Sequence, residues 1–280
     1  MKYIKLNNGE KLPAVNFGVF DIEKEDTKEA VLKAFEVGYR AIDTAQIYLN
    51  EKEVGDAVKE SGIPREEIYL TSKNWISNAG YEKTIKAVDK TLEDLQTDYI
   101  DLFLIHQPFG DYYGSYRALE ELQKEGKIIS IGLSNFNPDR MIDLIMNNDV
   151  VPQVNQMETT PYFQQWEANK FMKEYNVAHQ AWGPFSEGLD NLFKNPILME
   201  IAEKYSKSTA QVILRWLIDR DISLACRSVK EERMKENFDI FDFELSKEDI
   251  EKIKELDRGE SPFVIYTDVE TVVEFNEEEL

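Results

Sequence analysis

An acid, a phenol, an amine and an imidazole stand at Asp43, Tyr48, Lys73 and His106, each at or just past the end of a short apolar run. Brought together, they suit the reduction of a carbonyl group. Hydride addition leaves an alkoxide that must be protonated. A tyrosine with a pKa of about 10 is a poor donor at neutral pH unless a nearby positive charge favours its phenolate. Lys73 can supply that charge, each pKa unit being worth about 1.4 kcal/mol of differential stabilisation. Asp43 would keep the ammonium charged and oriented, while His106 would hydrogen-bond the carbonyl oxygen and help position it. Taken singly, each residue has a plainer reading. His106 could be a satisfied structural histidine, Asp43 a turn-forming acid, Lys73 a solvated lysine and Tyr48 a packing aromatic. The chemistry depends on whether one fold gathers them.

The apolar runs that carry them occupy residues 13–18, 40–43, 68–73, 99–106, 128–135, 153–158, 177–182 and 223–227. Helical patterns alternate with these runs, which is the signature of βα units around a parallel sheet. Near-continuous apolar character, as in Leu102-Phe103-Leu104-Ile105, suits a strand covered on both faces. Ile85, Val88, Leu92 and Leu95 repeat at helical spacing. Asn137-Pro138 and Asn195-Pro196 place a capping side chain before a first-turn proline, and Gly38 and Gly126 sit where helices should stop. Ser208-Thr209-Ala210-Gln211 has the form of a capping box, and Ser246 opens a helix along Ile250, Ile253 and Leu256. Asn8-Gly9 carries a hairpin signal. The expected architecture is α/β: a (β/α)8 TIM barrel over residues 1–280 as a single domain, with an N-terminal β-hairpin and a C-terminal helical extension. Barrel active sites lie at the carboxyl ends of the strands. In order, those ends present Asp43 with Tyr48, then Lys73, His106, Ser134-Asn135, Gln156, Trp182 and Arg227-Ser228.

Composition narrows the partners. The net charge of −21 argues against nucleic acid and against anionic membrane surfaces. No apolar run approaches the roughly 20 residues needed to span a bilayer, and the first residues lack the apolar stretch of a secretory signal. Cys226 is the only cysteine, which fits a reducing cytoplasm and a small buried apolar role. With two histidines, His106 and His179, and no paired-cysteine motif, metal chemistry is not expected. Glu277-Glu278-Glu279 has the character of a solvated tail.

The chain resembles the aldo-keto reductases over nearly its whole length. The matching segments are Ala41-Ile42-Asp43-Thr44-Ala45-Gln46-Ile47-Tyr48, Thr71-Ser72-Lys73, Leu104-Ile105-His106-Gln107-Pro108 and Ile131-Gly132-Leu133-Ser134-Asn135-Phe136. Further on come Val154-Asn155-Gln156, Ala181-Trp182-Gly183-Pro184, and Arg227-Ser228-Val229 through Arg233 and Glu236-Asn237-Phe238. Within the family the chain is most similar to bacterial members grouped with 2,5-diketogluconate reductases and prostaglandin F synthase-like enzymes. The resemblance implies Tyr48 as proton donor, with Asp43, Lys73 and His106 completing a catalytic tetrad. It implies that Ser134, Asn135 and Gln156 hold the nicotinamide carboxamide and that Trp182 stacks on the nicotinamide. Residues 183–187, with Gly183 and Phe185, would run beside the pyrophosphate. Arg227, Ser228 and Arg233 would grip the adenosine 2′-phosphate, and Glu236 and Asn237 would lie near adenine. Phe20, Trp75, Phe109 and Tyr112 are expected as pocket walls from their positions after strand ends.

Ala225-Cys226-Arg227-Ser228 stands where most members have Ile-Pro-Lys-Ser, and arginine is planar and longer-reaching than lysine. NADPH is the expected cofactor, ahead of NADH. Leu49 stands where glycine is frequent, and Asn74 where leucine is usual; both are expected to reshape the pocket. The expected function is NADPH-dependent reduction of a small aldehyde or ketone by a cytoplasmic monomer or weak homo-oligomer. One alternative is a cofactor-binding regulatory or interaction protein on the same barrel, with little turnover. Another is a barrel isomerase or lyase, which leaves Trp182, Arg227 and Arg233 without a purpose.

Overall fold

The computed structural model describes residues 2–278 and 280; Met1 and Glu279 lie outside them. A hairpin comes first, β1 (Tyr3–Lys5) and β2 (Lys11–Pro13), paired antiparallel. Eight parallel strands then close a barrel: β3 (Val15–Gly18), β4 (Ala41–Asp43), β5 (Tyr69–Asn74), β6 (Ile100–Ile105), β7 (Ile128–Ser134), β8 (Val154–Glu158), β9 (Ala178–Trp182) and β10 (Ser223–Cys226). Closure is made by β10 against β3, Leu224 facing Val15 and Cys226 facing Phe17. The strands match the apolar runs of the sequence to within a residue or two at each end.

Alternation along a strand divides its side chains between two environments. In β6, Phe103 and Ile105 join the large core shared with the helices. Leu102 and Leu104 join Val154 and the hairpin residues Leu6 and Leu12 in a separate small cluster. Because β2 ends two residues before β3 begins, the hairpin sits at the amino ends of the strands, opposite the expected site. A side chain on Gly132 would meet the Val154 carbonyl at 2.6 Å and Leu104 Cδ2 at 2.7 Å, so glycine lets β7 and β8 lie close there.

The helix ends largely follow their signals. Gly38 stops its helix in the left-handed conformation at φ 118°, and Ser208 and Gln211 form both bonds of a capping box. Asn195 accepts from the Ile197 and Leu198 amides. Asn137 departs from expectation: Pro138 opens that helix, but the Asn137 side chain makes no capping bond. At the hairpin, Gly9 takes φ 94° while Asn8 does not enter the left-handed region. The Leu6 amide bonds the Glu10 carbonyl, giving a three-residue loop with glycine at its left-handed position rather than a two-residue Asn-Gly turn.

Beyond β10 come helices Glu231–Phe238, Lys247–Lys254 and Val269–Glu277. The last of these returns to the carboxyl ends of the strands. Phe275 packs against Trp75 and Phe109 at ring distances of 6.0 Å, and the Trp75 indole N–H donates to the Glu278 carbonyl at 3.0 Å. Glu277 and Glu278 are exposed, as expected of a solvated segment, but they are no free tail: Glu277 ends a docked helix and the Glu278 carbonyl is bonded to Trp75. The Glu279 part of that expectation lies outside the described residues. Aromatic contact is the physical reason: Phe275 and Tyr266 bury against the barrel rim and carry the acidic segment with them. No helix among the described residues is long and apolar enough to cross a membrane.

Candidate active site

Asp43 ends β4, Lys73 lies near the end of β5, and His106 follows β6, so three neighbouring strands deliver three side chains to one place. Tyr48 comes from the short helical turn Gln46–Tyr48 after β4. Leu49 follows it at φ 56°, the conformation that favours glycine there. The Lys73 ammonium donates to Asp43 Oδ1 at 2.5 Å, to the Thr44 carbonyl at 2.9 Å and to Tyr48 Oη at 3.4 Å. Gln156 donates its amide to Asp43 Oδ2 at 2.6 Å and to Gln180 at 2.9 Å. Both oxygens of Asp43 are therefore held. The His106 ring meets Tyr48 and Trp75 edge-on, at 5.7 and 5.1 Å.

These contacts set the charges. Burial pulls the Lys73 ammonium down, but Asp43 and Tyr48 together outweigh it and hold its pKa above the usual value. Burial, helped by Lys73, holds His106 well below its ordinary pKa, so the imidazole is neutral. Its Nδ1 has no hydrogen-bond partner among the described residues. Lys73 acts on Tyr48 in the expected direction, lowering its pKa, but burial opposes it. Enclosure of its hydroxyl raises the phenol pKa, and Lys73 offsets only part of that rise. The geometry explains why: the ammonium is closest to Asp43 and Thr44 and reaches Tyr48 only at the limit of a hydrogen bond. The phenol is held protonated.

A cavity of about 630 Å³ opens over these residues. Asp43, Tyr48, His106, Ser134, Asn135 and Gln156 line it near the barrel axis. Trp182, Gly183 and Phe185 line one flank, and the Trp182 indole N–H donates to Asn135 Oδ1 at 2.8 Å. Arg227, Arg233, Phe20 and Trp75 line it too, with Phe20 packed against Tyr48 at a ring distance of 5.1 Å. Residues 186–191 include five positions with φ between 49° and 78°, four of them not glycine, so this flank is an irregular loop.

Two expected pocket walls lie elsewhere. Tyr112 stacks on Tyr113 and meets Phe136 edge-on, away from the cavity, because it opens a helix facing the outer core. Phe109 is buried behind Tyr266 and Phe275, one layer from the cavity. Neither Leu49 nor Asn74 lines the cavity. Leu49 is exposed, and Asn74 is buried with its amide bonded to Asn78 and Thr84. Ser228, Glu236 and Asn237 also lie outside the cavity wall; the Ser228 hydroxyl turns back to the Lys230 backbone.

The chain as a whole has known relatives. A sequence model for the Aldo/keto reductase family matches residues 15–258. The chain belongs to the aldo/keto reductase family. It is 46% identical over 259 residues to glyoxal reductase of Bacillus subtilis, covering 92% of this chain and 93% of that one. A solved aldo-keto reductase from a Medee basin deep-sea metagenome library superposes with a TM-score of 0.93 at 42% identity, covering 95% of this chain and 99% of that one. A Bombyx mori aldo-keto reductase, solved in complex with NADP, superposes with a TM-score of 0.89 at 30% identity, covering 96% and 95%.

In this aldo/keto reductase the sequence reading missed the walls supplied from beyond residue 258. Val264, Tyr266, Phe275 and Glu278 all line the cavity. A signal existed in the three tail aromatics Phe263, Tyr266 and Phe275, but no periodicity or strand end marked them. Glu158 was also passed over. It ends β8, accepts a hydrogen bond from Ser261 Oγ, and has its other oxygen buried without a partner among the described residues. Burial raises its pKa to about 7. It anchors the segment that leads from the barrel to the C-terminal helix.

Proposed function

We propose that this protein reduces small, uncharged aldehydes or ketones with NADPH, and that Tyr48 donates the proton. One observation carries the reading: a single cavity joins the Tyr48–Lys73–Asp43–His106 group to two guanidinium side chains, Arg227 and Arg233. On a chain of net charge −21, two arginines at one cavity end suit an anionic cofactor. Trp182 offers a flat aromatic face between the two ends. The residues fit NADPH, which when bound supplies the hydride.

The protein's own groups supply the rest. Neutral His106 can donate one N–H to a carbonyl oxygen and polarise it without bringing a charge. The Tyr48 phenol, held protonated, gives its proton as negative charge builds on that oxygen. Lys73 then stabilises the phenolate, and Asp43 with Gln156 keeps the ammonium from turning away. Around the substrate end the walls are Phe20, Ile47, Trp75, Val264, Tyr266 and Phe275, and the acid at the rim is Glu278. Lys73 is engaged by Asp43, so a carboxylated substrate would find no free cation there. This favours uncharged carbonyls. The reading places the protein in the cytoplasm as a monomer or weak homo-oligomer, with residues 1–280 as one domain. Its buried Cys226, whose thiol burial pushes up to about 12, suits a reducing compartment.

The test follows NADPH oxidation across a panel of neutral and carboxylated aldehydes and ketones of several sizes. Neutral members should turn over, and Tyr48→Phe should lose at least 100-fold in kcat with NADPH affinity within about twofold of the parent. Full turnover by Tyr48→Phe overturns the assignment. NADPH binding with no turnover on any carbonyl would instead favour a regulatory barrel.

A further inference from the structure

Arg227 is not free at its end of the cavity. Its Nη1 donates to Asp21 Oδ2 at 2.6 Å and also to the Asp21 backbone carbonyl. The two residues come from adjacent strands of the barrel, Arg227 directly after β10 and Asp21 three residues after β3. Asp21 sits at φ 53°, a left-handed position that aims its carbonyl and carboxylate at the same guanidinium. Arg233, by contrast, forms no ion pair among the described residues, and Ser228 is turned to its own loop. The cation nearest the strand end is thus already neutralised by a carboxylate at the cavity mouth.

That pair treats the two nicotinamide cofactors differently. A 2′-phosphate brings up to two negative charges and must share Arg227 with Asp21 or displace it, with the carboxylate left close by. A 2′-hydroxyl brings no charge and can donate a hydrogen bond to the same carboxylate. The geometry points to Asp21 as the residue that sets this protein's cofactor selectivity, holding Arg227 and so weakening its preference for NADPH over NADH. This rests on the reading that Arg227 and Arg233 receive the 2′-phosphate. It acts through binding alone and requires no change in the tetrad.

The experiment measures Kd for NADPH and for NADH by fluorescence titration at low and moderate salt, in the parent, Asp21→Asn and Arg227→Ala. Asparagine tolerates the left-handed backbone, so the loop keeps its shape. Asp21→Asn should tighten NADPH about two- to fivefold, the scale of an exposed ion pair. NADH should change by less than about twofold or weaken. The gain should shrink as salt rises, because the pair is solvent-exposed. An unchanged NADPH-to-NADH ratio in Asp21→Asn overturns the proposal, provided Arg227→Ala weakens NADPH selectively. Equal losses for both cofactors in Arg227→Ala would overturn the underlying phosphate-site reading instead.

Discussion

At the scale of single residues, the site is built by over-determination. Asp43 is held through Oδ1 by Lys73 and through Oδ2 by Gln156, so neither the acid nor the amine can turn without breaking a buried bond. Removing one partner of such a pair leaves a buried charge uncompensated, a cost of roughly 3–5 kcal/mol. Trp182 is fixed differently. Its N–H is tied to Asn135, and Phe263 packs near it at 5.9 Å, so one face of the indole is left to the cavity. Stacking of nicotinamide on that face predicts that NADPH quenches tryptophan fluorescence. Trp182→Leu should lose most of the quench, whereas Trp75→Phe should keep most of it. A quench that survives Trp182→Leu would place the nicotinamide elsewhere.

At the scale of elements, the barrel positions the tetrad and the C-terminal helix closes the substrate end. Phe275 reaches Trp75, Phe109 and Tyr266, and each such aromatic contact is worth about 0.5–1.5 kcal/mol. The helix touches the substrate end of the cavity and not the arginine end. Ending the chain at Thr267 should therefore raise KM for small carbonyls about fivefold or more. NADPH affinity should stay within about twofold. The measurement is steady-state kinetics beside a cofactor titration. An unchanged KM would show that the helix takes no part in binding, and lost NADPH affinity would show that it supports the whole cavity.

At the scale of the whole molecule, two buried carboxyl groups tie stability to pH. Burial raises Glu51 and Glu158 from an ordinary value of 4.5 to about 7. Between those values the folded state binds more protons than the unfolded one. Their contribution is fully present below about pH 4.5 and is lost as pH rises through about 7. For Glu51, whose side chain is bonded to Ser72 and Thr91, the full loss is on the order of 3 kcal/mol. Glu51→Gln, which resembles the neutral acid, should gain stability over the parent at pH 8.5 and lose that advantage at pH 4.5. Urea unfolding at the two pH values checks this, and a difference independent of pH would rule it out.

The sequence by itself determined the strands, most helix ends and the identity of the groups that can do chemistry. Those are local properties: apolar runs, caps, and the few side chains able to move a proton. Asp43, Lys73 and His106 were legible because each follows an apolar run, and a parallel barrel sends every strand end to the same face. What only the tertiary structure decided involves residues far apart in the chain. Tyr112 and Phe109 share the signal of pocket walls, yet packing turns one outward and covers the other. Phe275 and Glu278 carry no local mark of a site and become part of it by docking. The Tyr48 proton shows the division most clearly. The sequence supplied its partner lysine, but the distances from that ammonium to Asp43, Thr44 and Tyr48 decided which of them its charge serves most.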